Sequence, residues 1–195
     1  MSTSVAVAPG KFLSDCSNHP IRSSLPMPKS KVKPRPYLLL VEDSADEIEL
    51  FFKTYDEIQA ALEVRVCADA CEALGYLEAA AAEGPAALPL FVLLDIKTGN
   101  ARLNGFEFLR ALHATPGLAQ LPAIMFSVAA IGDDVARALR QGASAFVLKP
   151  MNRADYAHTL AFILVRWGGP RAALAPAARE PNEDPQRGFA ITAYT

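Results

Sequence analysis

Five side chains have the types and placement for phosphoryl chemistry. Glu42 and Asp43 close the apolar run LLLV, and Asp95 closes the run FVLL. Ser127 ends AIMFS, and Lys149 follows AFVL and precedes Pro150. Carboxylates gathered in a partly desolvated place repel one another and call for a cation. Oxygen donors without nitrogen or sulfur suit Mg²⁺, which keeps waters and shares phosphate oxygens. An aspartate beside such a cation can attack a phosphoryl group and form an acyl phosphate. Charge neutralisation by Mg²⁺ and Lys149, with the Ser127 hydroxyl on a phosphoryl oxygen, would supply the rest. Taken singly, each residue has an ordinary reading: Asp95 as a cap or loop residue, Ser127 as a strand-end serine, Lys149-Pro150 as a turn. Their order on separate strand ends argues for one site. Asp95, Ser127 and Lys149 form its candidate catalytic set, and Glu42, Asp43 and Asp95 its candidate metal set.

That site requires elements that bring the run ends together. Short apolar runs at residues 37–41, 63–68, 90–95, 123–127 and 145–148 predict five strands. Their continuous apolarity suits a parallel sheet covered on both faces. Helical periodicity is expected over 45–58, 71–82, 104–113, 133–141 and 152–166. Ser44 followed by Glu47 predicts a capping box, with Ile48, Phe51, Phe52 and Tyr55 on one apolar face. Gly75 weakens the second helix, Gly142 suits the end of the fourth, and Asn152 suits the start of the fifth. Alternating strands and helices imply an α/β, doubly wound five-stranded sheet, whose ligands sit at the carboxyl ends of the strands.

The 195 residues suffice for one domain and two tails. Residues 1–35 are rich in proline and end in Lys29, Lys31, Lys33 and Arg35, which predicts a disordered basic tail. The expected domain covers 36–168, and 169–195 read as a second tail. A net charge of −2 gives no reason to expect nucleic acid as a partner. The three cysteines, Cys16, Cys67 and Cys71, are too sparse and odd in number for a disulfide framework, which suggests a reducing, cytoplasmic setting. No apolar stretch approaches the length of a membrane span, and none has the form of a secretory leader.

The acidic pair after LLLV, the aspartate of FVLLDI, the serine of PAIMFS and the LKP around Lys149 together resemble a response-regulator receiver domain over residues 37–167. Ser127 and Lys149 stand 22 positions apart, similar to the family's spacing. VEDSADEIELF and KPMNRADY resemble the stand-alone receivers that partner bacterial phytochromes and other sensor kinases. The resemblance implies a flavodoxin-like sheet of order 2-1-3-4-5. It implies Mg²⁺ held by Glu42, Asp43, Asp95 and the backbone carbonyl of Lys97. Asp95 would take its phosphoryl group from the phosphohistidine of a sensor histidine kinase, a bacteriophytochrome among the candidates, or exchange it with a histidine phosphotransfer protein. Ser127 would shift toward the phosphate and Phe146 turn inward as a switch. The family's output face is the fourth helix, fifth strand and fifth helix; the fifth helix ends in Phe162, Ile163, Leu164, Val165 and Trp167, more apolar than one buried stripe requires, so a homodimer through that face is expected. No DNA-binding or catalytic domain is expected after residue 168, so output would be by protein–protein contact, without turnover.

Three features depart from the family. Gly99 stands where receivers carry proline, and Gly105 comes ten residues after Asp95, so the loop is longer by about two residues. Lys97 puts a cation beside the pocket, where it would either stabilise the phosphoryl group or displace Mg²⁺. Val128 follows Ser127 where a smaller residue is usual. These departures support an alternative, a receiver-like interaction module that is never phosphorylated. A hydrolase of the haloacid-dehalogenase type would need a carboxylate two residues after the nucleophile, where Lys97 stands.

Overall fold

A computed structural model describes residues 35–96 and 103–169; the expectations for the two tails and for Lys97 fall outside these residues. Five strands form one parallel sheet: β1 (Tyr37–Val41), β2 (Glu63–Cys67), β3 (Phe91–Leu94), β4 (Ala123–Ser127) and β5 (Ala145–Leu148). The order is β2-β1-β3-β4-β5, as the resemblance implied. β2 and β3 are slightly shorter than their apolar runs, β2 by one residue at its end and β3 by one at each end.

Five helices cover the sheet: α1 (Ala45–Glu57), α2 (Ala70–Glu83), α3 (Gly105–Ala114), α4 (Asp134–Arg140) and α5 (Arg153–Ile163). Successive strand residues point to opposite faces, so each strand feeds two cores. Leu39, Val41, Val92, Leu94, Met125 and Phe146 pack with residues of α2 and α3 on one face. Leu38, Leu40, Phe91, Leu93, Ile124 and Phe126 pack with those of α1 and α5 on the other.

Local chemistry starts and stops these helices. Ser44 caps α1, Asp69 caps α2 by accepting from the Glu72 amide at 2.8 Å, and Asn152 caps α5 by accepting from the Asp155 amide at 2.9 Å. Asn104 and Glu107 form the full capping box of α3. α2 runs through Gly75, its other residues being good helix formers. Gly142 leaves α4 at φ +97, a conformation that favours glycine. On α1, Phe51 and Tyr55 are buried, but Phe52 lies at the edge of the apolar face and is 36% exposed. After α5 the chain continues as one π-helical turn, Leu164–Gly168, where an α-helix to residue 166 was expected. Among the described residues, no helix is long and apolar enough to cross a membrane.

Candidate functional site

The strand ends converge as the parallel topology requires. The sheet's hydrogen bonds continue one step beyond the strands and hold the chemical residues. The Asp95 amide donates to Val41 O at 3.1 Å, the Glu42 amide to Cys67 O at 3.1 Å, and the Lys149 amide to Ser127 O at 2.7 Å. Since Val41 and Leu94 are paired, Glu42 and Asp95 leave adjacent strands side by side.

Lys149 is the centre of the site. Its Nζ stands 2.6 Å from Glu42 Oε2, 3.2 Å from Glu47 Oε2 and 3.4 Å from Asp95 Oδ1. An ammonium has three protons, and three carboxylates surround this one. Glu42, Asp95, Ser127 and Lys149 are all buried, whereas Asp43 is exposed. Burial pushes the Glu42 carboxyl above its ordinary range, against the opposing pull of Lys149. Burial alone would favour neutral Lys149, but its hydrogen bond to Glu42 and the charges of Asp95, Glu42 and Glu47 more than offset this, leaving its pKa raised.

The sequence marks Glu47 only as half of a capping box. The Ser44 side chain does accept from the Glu47 amide, at 3.4 Å. The reciprocal bond is replaced: the Ser44 amide donates to Glu42 Oε1 at 3.2 Å, and the Glu47 carboxylate reaches Lys149 instead. An acid one helical turn beyond the acidic pair was the available signal, but its partner is more than 100 residues away.

Gly105 also bears on the site. A Cβ there would lie 3.0 Å from Asp95 O, 3.1 Å from Ile96 Cα and 3.2 Å from Met125 Cε. The start of α3 therefore packs directly against the backbone of the candidate nucleophile. Phe126 lies beneath the ammonium, with Lys149 Nζ 5.6 Å from its ring centre. Phe146 is fully buried in the core that includes Met125 and Ala138. Val128 is half-exposed beyond the end of β4.

The oxygen donors Glu42, Asp43 and Asp95 suit a hard divalent cation that keeps part of its water shell. Among the described residues they do not stand converged as a ready cage. Glu42 is engaged by Lys149 and Ser44, so a cation there would compete with the ammonium for its oxygens.

Residues 38–161 match the family model of the response regulator receiver domain. A solved response regulator of red-light signalling from R. palustris superposes with a TM-score of 0.60 at 24% identity, covering 72% of this chain and 98% of that one. The Mn²⁺-bound form of response regulator Rcp1 gives 0.59 at 22% identity, over 73% and 99% of the two chains. The bacteriophytochrome response regulator AtBRR gives 0.50 at 31% identity, over 65% and 91%.

Proposed function

Because this chain belongs to the response regulator receiver domain family of two-component signalling, we propose that it accepts a phosphoryl group on Asp95 and signals by protein–protein contact. The observation that carries this reading is the convergence of Glu42, Asp95 and Lys149 at one buried rim, with Ser127 at the neighbouring strand end.

In the proposed reaction, an Asp95 carboxylate oxygen attacks the phosphorus of a donor phosphohistidine. The phosphorus–nitrogen bond breaks, its electron pair stays on the imidazole, and an acyl phosphate remains on Asp95. Lys149 and the Ser127 hydroxyl donate to phosphoryl oxygens as their charge shifts. Mg²⁺, held by Glu42, Asp43, Asp95 and a backbone carbonyl expected at Lys97, would neutralise charge shared between the carboxylate and the phosphoryl group. A related fold is known in a Mn²⁺-bound form. Each acceptor is loaded once per signal, so the chain acts as a switch, not a turnover enzyme.

The proposed donor is a sensor histidine kinase or a histidine phosphotransfer protein. A phytochrome-type kinase is favoured by the likeness to a bacteriophytochrome response regulator. The proposed setting is cytoplasmic. Phe162 near the end of α5 is partly exposed, as is Trp167 in the π-helical turn that follows, and Val165 in that turn is half-exposed, which supports a homodimer through the end of α5 on the α4, β5 and α5 face. Sedimentation as a monomer with and without phosphodonor would remove the dimer.

The deciding experiment incubates the full chain with Mg²⁺ and acetyl phosphate and reads intact mass. One phosphoryl group per chain is expected, absent from Asp95→Asn and after chelation of Mg²⁺. Uptake unaffected by Asp95→Asn, or no uptake together with no response to beryllofluoride, would sink the proposal. The second outcome would favour the unphosphorylated interaction module, for which the engagement of Glu42 by Lys149 speaks.

A further inference from the structure

We propose that Glu47 is a positioning residue that holds Lys149 at the pocket throughout phosphoryl transfer; this rests on the phosphoacceptor reading of Asp95. Three carboxylates share the Lys149 ammonium, and two of them have other duties in that reaction. An Asp95 oxygen becomes part of the acyl phosphate. Glu42 belongs to the proposed metal set, and a cation drawing on its oxygens would weaken its hold on Lys149. Each step weakens one of the ammonium's present contacts.

Glu47 has no such duty. It lies in the first turn of α1, outside the strand-end set, and its side chain is about one-third exposed. Its carboxylate is available because the Ser44 amide, which a capping box would give it, donates to Glu42 Oε1. Lysine is a point charge on a flexible four-carbon stem. As Glu42 and Asp95 are drawn to the cation and the phosphoryl group, a fixed third partner holds that charge in place until the phosphoryl oxygens take it up. Glu47 supplies it at 3.2 Å from a helix anchored by its own cap. The ammonium is then in place when charge develops on the phosphoryl oxygens, without reorganisation at that moment.

The test follows phosphoryl uptake by the full chain from acetyl phosphate at saturating Mg²⁺. It compares wild type, Glu47→Ala, Glu47→Gln, Glu47→Asp, Lys149→Ala and the Glu47→Ala/Lys149→Ala double variant. Mg²⁺ affinity and thermal melting are measured beside it. Glu47→Ala should slow uptake about tenfold, an effect on the scale of coupling between contacting residues. Mg²⁺ affinity should stay near wild type, and Glu47→Asp should restore part of the rate. In the Lys149→Ala background, removing Glu47 should slow uptake no further. Should Glu47→Ala fold poorly, Glu47→Gln carries the same comparison with its shape kept. Uptake at the wild-type rate, equal slowing in both backgrounds, or slowing explained by lost Mg²⁺ affinity would each overturn the proposal. A wild-type chain that takes up no phosphoryl group overturns the phosphoacceptor reading itself. Normal wild-type uptake with an unaffected Glu47→Ala overturns only the role of Glu47.

Discussion

Lys149 Nζ lies closer to Glu42 Oε2, at 2.6 Å, than to the candidate nucleophile Asp95, at 3.4 Å. Glutamate at the first position of the acidic pair has the reach for this bond and for the Ser44 amide at once. The ammonium therefore rests chiefly as the counter-ion of Glu42 and would shift toward Asp95 to serve a phosphoryl group.

Removing that counter-ion should expose its electrostatic role. Lys149→Ala leaves Glu42 and Asp95 buried without it, and should cost about 3 kcal/mol of stability. Mg²⁺ should restore more stability to this variant than to wild type, because a bound cation replaces the missing charge. Urea denaturation with and without Mg²⁺ measures both, and equal stabilisation of the two proteins would contradict the idea.

Gly105 allows α3 to begin against the Asp95 backbone. Gly105→Ala should destabilise by about 1–3 kcal/mol, since the neighbours at 3.0–3.2 Å are mostly backbone. Uptake from acetyl phosphate should also slow, because relief of the contact moves Asp95. A variant with wild-type melting and uptake would show that the loop yields freely.

Phe146 is already fully inside the core, the position that receivers' switch aromatics reach on activation. In this structure the ring is therefore already in the inward place that the switch expectation assigns to the active state. Phe146→Leu should cost about 1 kcal/mol while phosphoryl uptake persists. A fluorine label on Phe146 should report one environment before and after beryllofluoride; two environments would show that the ring rotates as a switch.

Burial, with Glu72 and Asp69 nearby, pushes the Cys67 thiol well above its ordinary value. The thiolate is the reactive form. In the native chain, alkylation of Cys67 should thus begin only at a more alkaline pH than that of a free thiol, and unfolding should abolish the difference. Peptide mapping after iodoacetamide treatment distinguishes Cys67 from Cys16 and Cys71. Ready labelling of native Cys67 at neutral pH would contradict its burial.

The chain's periodicities were enough to locate five strands, five helices and the rim residues Glu42, Asp43, Asp95, Ser127 and Lys149. Burial on two sheet faces writes a run such as FVLL, and a helix writes its own spacing, so both are local signals. Ser44, Gly142 and Asn152 were legible for the same reason: each meets the hydrogen bonding or backbone angle of its own turn. Strand order came from family resemblance, because periodicity carries no record of which strands pair. Only the tertiary structure gave Lys149 to Glu42 more closely than to Asp95, turned Glu47 from its capping box to Lys149, pressed Gly105 against the Asp95 backbone and enclosed Phe146. Each of those contacts joins side chains or backbone from different elements. Their partners are chosen by the packing of the whole sheet, which no local stretch of sequence encodes.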